Sequence, residues 1–192
     1  MVQAFVRSFV AACLVAVPPL AHAADRPDDA TYPRSGQSLA DIIAAMPKGL
    51  KRAEGPPLAM AIEAAKAAVS TCAKAGAKVS VLVADSVGEP VVMLSGDGAG
   101  VRSRLIAESK VAAVIRFGMP SDQAAERART DHSIAAAAQA DGNIGMLRGG
   151  GFPIIRNGHV IGAIGTSGAS IYGVRDMDET CSQVALRILQ AP

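Results

Sequence analysis

The stretch Pro153-Ile154-Ile155-Arg156-Asn157-Gly158-His159-Val160-Ile161-Gly162-Ala163-Ile164 decides the fold. Two apolar runs flank Asn157-Gly158, a dipeptide whose residues both tolerate positive φ, and this predicts a tight hairpin with strands over 153–156 and 159–164. A second hairpin is predicted upstream: a strand over 79–84, a turn at Asp85-Ser86-Val87-Gly88-Glu89, and a returning strand over 90–94. Helices fill the remainder. A helix over 58–75 places Leu58, Ile62, Ala65, Val69 and Cys72 on one face, with Pro57 before it and Gly76 after it. A helix over 101–117 follows the link Gly96-Asp97-Gly98-Ala99-Gly100, and an alanine-rich helix over 122–140 takes Ser121 as its cap and ends at Asp141-Gly142-Asn143. The last helix spans 177–190. Parallel strands would need a crossover after each strand, so hairpins separated by helices predict an α/β fold with an antiparallel sheet.

Composition fits one compact domain: 192 residues, a formal charge of +2 and a mean hydropathy of +0.29. With 50% hydrophobic residues, 3% aromatic residues and no Trp, the core must be built from Ala, Val, Ile and Leu. Lys and Arg do not cluster, and four Phe with two Tyr give no stacking platform. Nucleic acid is therefore excluded as an expected partner.

Residues 1–23 carry Arg7, an apolar run from Phe9 to Val17, Pro18-Pro19 and the small-residue site Ala21-His22-Ala23, the order of a secretory signal peptide. The apolar run is too short for a membrane span, and Cys13 follows Arg7 too closely for a lipoprotein signal. The expectation is cleavage after Ala23, a periplasmic or secreted mature chain, an extended arm over 24–57 and a domain over 58–192. Cleavage leaves Cys72 and Cys181, with no second Cys near either, so the spacing fits neither zinc nor a redox motif. A single disulfide and two buried thiols both remain open.

The glycines match neither GxGxxG nor GxxxxGK[ST], and Gly165-Thr166-Ser167-Gly168-Ala169 departs from the hydrolase elbow at its last position, with no His after Ser167. His132 and His159 lack a partner at metal-ligand spacing. Haem is more permissive, since one axial ligand in an apolar cleft suffices, and His132 is the candidate ligand. Three loops of unusual composition gather at strand ends: Ser95-Gly96-Asp97-Gly98-Ala99, Gly149-Gly150-Gly151-Phe152-Pro153, and Gly165 to Ala169. Their glycines allow a ligand close to the backbone, where N–H groups can hold a carboxylate, and Lys110 on the helix after the first loop is a candidate partner for an anion.

These same segments resemble the GlcG/HbpS family of haem-binding-like domains, found also as the C-terminal part of PduO-type proteins. The resemblance rests on Val81-Leu82-Val83-Ala84-Asp85 and the residues after it, Gly96-Asp97-Gly98-Ala99 with the downstream Ser109-Lys110, Gly150-Gly151-Phe152-Pro153-Ile154-Ile155, and Val160 to Ala169 followed by Asp176. It implies a profilin-like antiparallel sheet of about five strands with helices on its faces, homo-oligomers, and in some members haem binding or degradation and redox sensing. The candidate cofactor-binding set is Asp97, Gly98, Lys110, His132, Gly150, Gly151, Pro153, Ser167, Gly168 and Asp176, with His132 as the candidate metal ligand. Two positions depart from the family pattern: Ala113 stands where a Thr is usual, and Ser95-Gly96 stands where an Arg commonly precedes Asp-Gly-Ala. In the implied arrangement the first and last helices lie side by side, which brings Cys72 and Cys181 within reach of a bridge. The expected function is an exported small-ligand-binding protein with haem or another tetrapyrrole as ligand. The alternatives are an enzyme acting on a small molecule or degrading haem at the same loops, and a ligand-free oligomeric assembly protein. No pair of titratable residues is close enough in sequence to assign acid and base roles.

Overall fold

The computed structural model describes residues 53–172 and 176–191, with Ser38, Ala40, Asp41 and Ala44 ahead of them. The expected signal peptide over 1–23 and residues 24–37 of the expected arm lie outside the described residues. In the N-terminal unit, Ser38 N and Oγ donate to Asp41 Oδ2 while Asp41 N donates to Ser38 Oγ. This reciprocal capping starts a helical turn and holds the Asp41 carboxyl below its ordinary value.

The second unit contains α1 (Leu58–Lys74), β1 (Ser80–Asp85), β2 (Pro90–Ser95), α2 (Val101–Phe117), α3 (Ser121–Arg127), α4 (His132–Ala140), β3 (Gly151–Arg156), β4 (His159–Ser167), a 3-10 turn (Ala169–Tyr172) and α5 (Met177–Leu189). The sheet has four strands among the described residues, not about five, in the order β2-β1-β4-β3, and every pairing is antiparallel. Both predicted hairpins form. Asn157 and Gly158 take φ of 51° and 78°, the left-handed conformations that a two-residue turn with the strand's own twist requires.

β1 lies between two partners, and all six of its residues are buried. Its side chains alternate between faces: Val81 and Val83 pack with α1 and α5, whereas Leu82 and Ala84 pack with Ala107, Val111 and Val114 of α2. The α1 side of the core is built from Ala61, Ala64, Ala65, Ala68 and Ala185, so the helices come close enough for Cys72 and Cys181 to join as a disulfide with Cα atoms 5.8 Å apart. The bridge settles the alternatives that spacing left open.

Two local expectations are corrected. The helix expected over 122–140 is two helices, because Asp131 Oδ1 accepts from both the backbone N–H and the hydroxyl of Ser133 and so caps a new helix. Ser121 is not a cap: Pro120 occupies that position, and the buried Ser121 hydroxyl accepts from Gly151 N at 2.8 Å, tying α3 to β3. The expected loop at 165–167 is the continuation of β4, paired with β1 as far as Ser80 and Ser167. At the other end of the sheet Ser86 N donates to Glu54 O, so the last residues of the expected arm are tied to the β1–β2 turn.

Candidate functional site

Lys110 is the residue that apolar periodicity explains least. It lies one turn after Ala107 and Ile106 on α2, next to Val111, yet is only 3% exposed. A buried ammonium needs partners for its protons. Lys110 Nζ donates to Thr166 O at 2.6 Å and to Asp178 Oδ2 at 2.9 Å, and Asp178 Oδ1 accepts from Ala169 N at 2.9 Å. One carboxylate thus links α2, the turn after β4 and the first turn of α5. Burial lowers the Lys110 pKa and outweighs the opposing pull of Asp178.

Gly149, Gly150 and Gly151 pass over this pair. Gly150 adopts φ of 106°, and a Cβ there would lie 2.9 Å from each of Lys110 Nζ, Asp178 Cβ and Thr166 O. On Gly149 a Cβ would overlap Glu179 Oε1. At Gly150 both the left-handed φ and the closeness of the Lys110–Asp178 pair require glycine, whereas at Gly149 it is Glu179, and at Gly151 the Lys110 backbone and the Ser121 hydroxyl, that leave no room for a side chain. Ser182 Oγ donates to Gly150 O at 2.8 Å and shares a 2.7 Å hydrogen bond with Thr166 Oγ1, closing a buried polar network behind the glycines.

In front of the network lies a cavity of about 660 Å³. Its walls carry Lys110, Asp122, Arg148, Asp176, Asp178 and Glu179, with Ile106, Ala125 and Leu147 as apolar patches. Charges already matched are Lys110 with Asp178, and Arg129 with Glu126 at 3.1 Å on the exposed rim. Asp122 Oδ1 is buried without a hydrogen-bond partner among the described residues. Burial raises the Glu179 pKa, and the charges of Asp122, Asp176 and Asp178 push it further, against Lys110.

Of the expected site residues, Lys110, Ser167 and Asp176 line this cavity, and Gly150 and Gly151 pack against Lys110 behind it. The others are elsewhere. Gly98, next to Asp97, packs on Lys78, Gly168 approaches Lys78 O, and Pro153 is buried in β3 opposite Ala163. His132 is exposed at the start of α4 and is not in the cavity lining, so the expected iron ligand is absent from this wall. Lys110 is also not the open anion partner it was expected to be, because Asp178 already holds it. Ala113, where the family carries Thr, is 1% exposed and packs with Ala138 and Ile144, outside the cavity lining. The reading missed Asp122, Arg148, Asp178 and Glu179. The acidic first turn of α5 was visible as Asp178-Glu179, but such a turn ordinarily reads as complementing the helix dipole.

Comparison with known proteins gives consistent results. The family model described as "Haem degrading protein HbpS-like" matches residues 57–187. Among solved structures, HbpS is 30% identical with a TM-score of 0.61, covering 73% of this chain and 94% of that one. The Klebsiella pneumoniae protein ORFY is 23% identical with a TM-score of 0.65, covering 77% of this chain and 99% of that one. The PduOC:heme complex is 20% identical with a TM-score of 0.62, covering 70% and 94%. The likeness to these last two shows the fold alone. Comparison with the curated proteins finds no match. Because the family model spans well over half of the sequence, from Pro57 just ahead of α1 to Arg187 in the last turn of α5, this chain belongs to the HbpS-like family.

Proposed function

We propose that this protein is an exported small-ligand-binding protein whose ligand, a tetrapyrrole, sits in the cavity between α2, α3 and the first turn of α5. The observation that carries the reading is the cavity itself. At about 660 Å³ it falls in the range of small-molecule sites, and it is walled by groups of both charge signs with apolar patches between them. Membership of the HbpS-like family and the haem complex of PduOC favour the tetrapyrrole class.

The residues fit part of a haem and not all of it. Arg148, which has no ion pair among the described residues, suits a propionate, and Ile106, Ala125 and Leu147 suit the edge of a macrocycle. No imidazole lines the cavity, and both described histidines, His132 and His159, are exposed elsewhere. Histidine ligation of iron therefore does not fit this wall.

Export is supported by the order of charged, apolar and small residues over 1–23, and by the Cys72–Cys181 bridge, which suits an oxidising compartment. Homo-oligomerisation belongs to the same reading and is tested by light scattering of the mature chain, where the mass of one subunit would refute it. The binding reading is tested by absorbance titration of the mature protein with hemin and with protoporphyrin IX, since the chain has no Trp to report binding. A saturable spectral shift at one ligand per subunit, weakened about tenfold by Arg148→Glu, is expected. Linear, non-saturating shifts with both ligands would overturn it.

A further inference from the structure

The outer face of α2 repeats with the spacing of a helix–helix seam. Val101, Leu105, Glu108, Ala112 and Ile115 follow one another at steps of four, three, four and three, so they form one stripe, opposite the buried face that carries Ser103, Ala107, Lys110 and Val114. The two halves of the stripe differ. In the N-terminal half Val101 is 94% and Leu105 54% exposed, so apolar side chains protrude. In the C-terminal half Ala112 and Ile115 line a groove of about 730 Å³, walled by Val87 and Pro90 on the β1–β2 turn and by Asn143 and Ile144. These walls are tied to α2: a Cβ on Gly88 would lie 3.8 Å from Ile115 Cγ1, and Ser109 Oγ donates to Ile144 O at 2.5 Å. Charge divides in the same way. The protruding half carries Arg102 and Arg104, whereas the groove carries Glu89, Glu108 and Asp141 against one cation, Arg116. Such a rim disfavours propionates and suits a basic, apolar knob.

We infer that α2 is the contact between two copies of this chain, packed antiparallel across a twofold axis at Glu108, so that Val101 and Leu105 of each copy enter the groove of the other. This rests on the homo-oligomer reading and names its interface. A twofold contact requires one surface to carry both a knob and its hole, and the two halves of α2 do so. The seam maps onto itself about Glu108: Val101 of one copy meets Ile115 of the other, and Leu105 meets Ala112, a large residue over a small one. At the axis the two Glu108 carboxylates approach each other, and each already accepts from Arg104 Nη1 at 2.5 Å, so two guanidiniums offset the like charges. Ile106 and Lys110, which line the first cavity, lie away from the seam, so the contact leaves that cavity open.

Light scattering and non-reducing gels of the mature protein test this. Leu105→Glu, a change at an exposed position, sets a carboxylate against the acidic groove and is expected to cut the mass in solution at least about twofold. Glu108→Cys puts one thiol per subunit at the axis and is expected to give a covalent dimer on mild oxidation, since Cys72 and Cys181 are already bonded to each other. Leu105→Cys with Ala112→Cys is expected to cross-link between copies as well, because seven residues along one helix span about 10 Å, too far for a bridge within one chain. An oligomer whose mass Leu105→Glu leaves unchanged, or that gives no cross-linked dimer with either thiol variant, would overturn this interface while leaving the homo-oligomer reading standing. A native protein with the mass of one subunit would overturn both. If Leu105→Glu keeps the mass and weakens protoporphyrin IX binding instead, the groove is the ligand's and the inference falls. Should Leu105→Glu fail to fold, the two thiol variants decide the question by the same criterion.

Discussion

Lys110 Nζ and Asp178 Oδ2 lie 2.9 Å apart at the point where α2 meets α5, with the lysine 3% and the aspartate 12% exposed. Asp178 also accepts from Ala169 N, so this single side chain fixes both the turn after β4 and the entry of the last helix. Removing one member leaves a buried charge without its partner, which is costlier than removing both. Lys110→Met is expected to lower stability by about 3 kcal/mol or more, and Lys110→Met with Asp178→Asn by less than the sum of the single changes. Urea denaturation of the four proteins checks this, and strict additivity would contradict it.

Glu179 gives the pH prediction. Its folded-state pKa is raised above 4.5, so the folded protein holds this proton through a window in which the unfolded chain releases it. The stability tied to the proton is fully present below about 4.5 and is lost as pH rises through the folded pKa. Glu179→Gln is expected to match the native protein in acid and to become the more stable of the two as pH rises through that window. Melting curves at a series of pH values would show parallel lines if the carboxyl were unperturbed.

Gly150→Ala places a methyl group 2.9 Å from Lys110 Nζ and Thr166 O at φ of 106°. The backbone strain alone is about 1–3 kcal/mol, and the crowding of the ion pair adds to it. A melting temperature unchanged from the native protein would show that the glycine run is not held against Lys110.

The Cys72–Cys181 bridge closes a loop with a sequence separation of 109. In the chain-entropy model such a loop stabilises the fold by about 5 kcal/mol. Cys72→Ser with Cys181→Ser is expected to lower the thermal midpoint sharply, and thiol titration of the denatured, unreduced native protein to find no free thiol at these two positions.

How much of this was legible follows from which signals are local. Asn157-Gly158 and the unbroken apolar run Val81 to Ala84 act through turn chemistry and β-branched strand propensity, and both hairpins, their antiparallel pairing and the bounds of α2 could be read directly. The break at Asp131 was missed because alanine propensity on either side masked a capping signal only three residues long. Cys72 and Cys181 could be paired only through the expected packing of the first and last helices. The site was half legible. Lys110 and the glycine run stand out in composition, but Asp122 and Asp178 join them through tertiary contacts between α2, α3 and α5, and His132 was drawn in only because histidines are few.

A second cavity, of about 730 Å³, lies on the far side of α2 and is lined by Leu105, Ala112, Ile115 and the 141–144 turn. Hydrogen–deuterium exchange of the mature protein with and without saturating protoporphyrin IX therefore tests the central claim, that the ligand sits between α2, α3 and α5. The account predicts slower exchange on ligand binding in residues 122–129, 147–151 and 176–180, with residues 86–90 and 141–144 unchanged. Protection confined to 86–90 and 141–144 would place the ligand in the other cavity and contradict it.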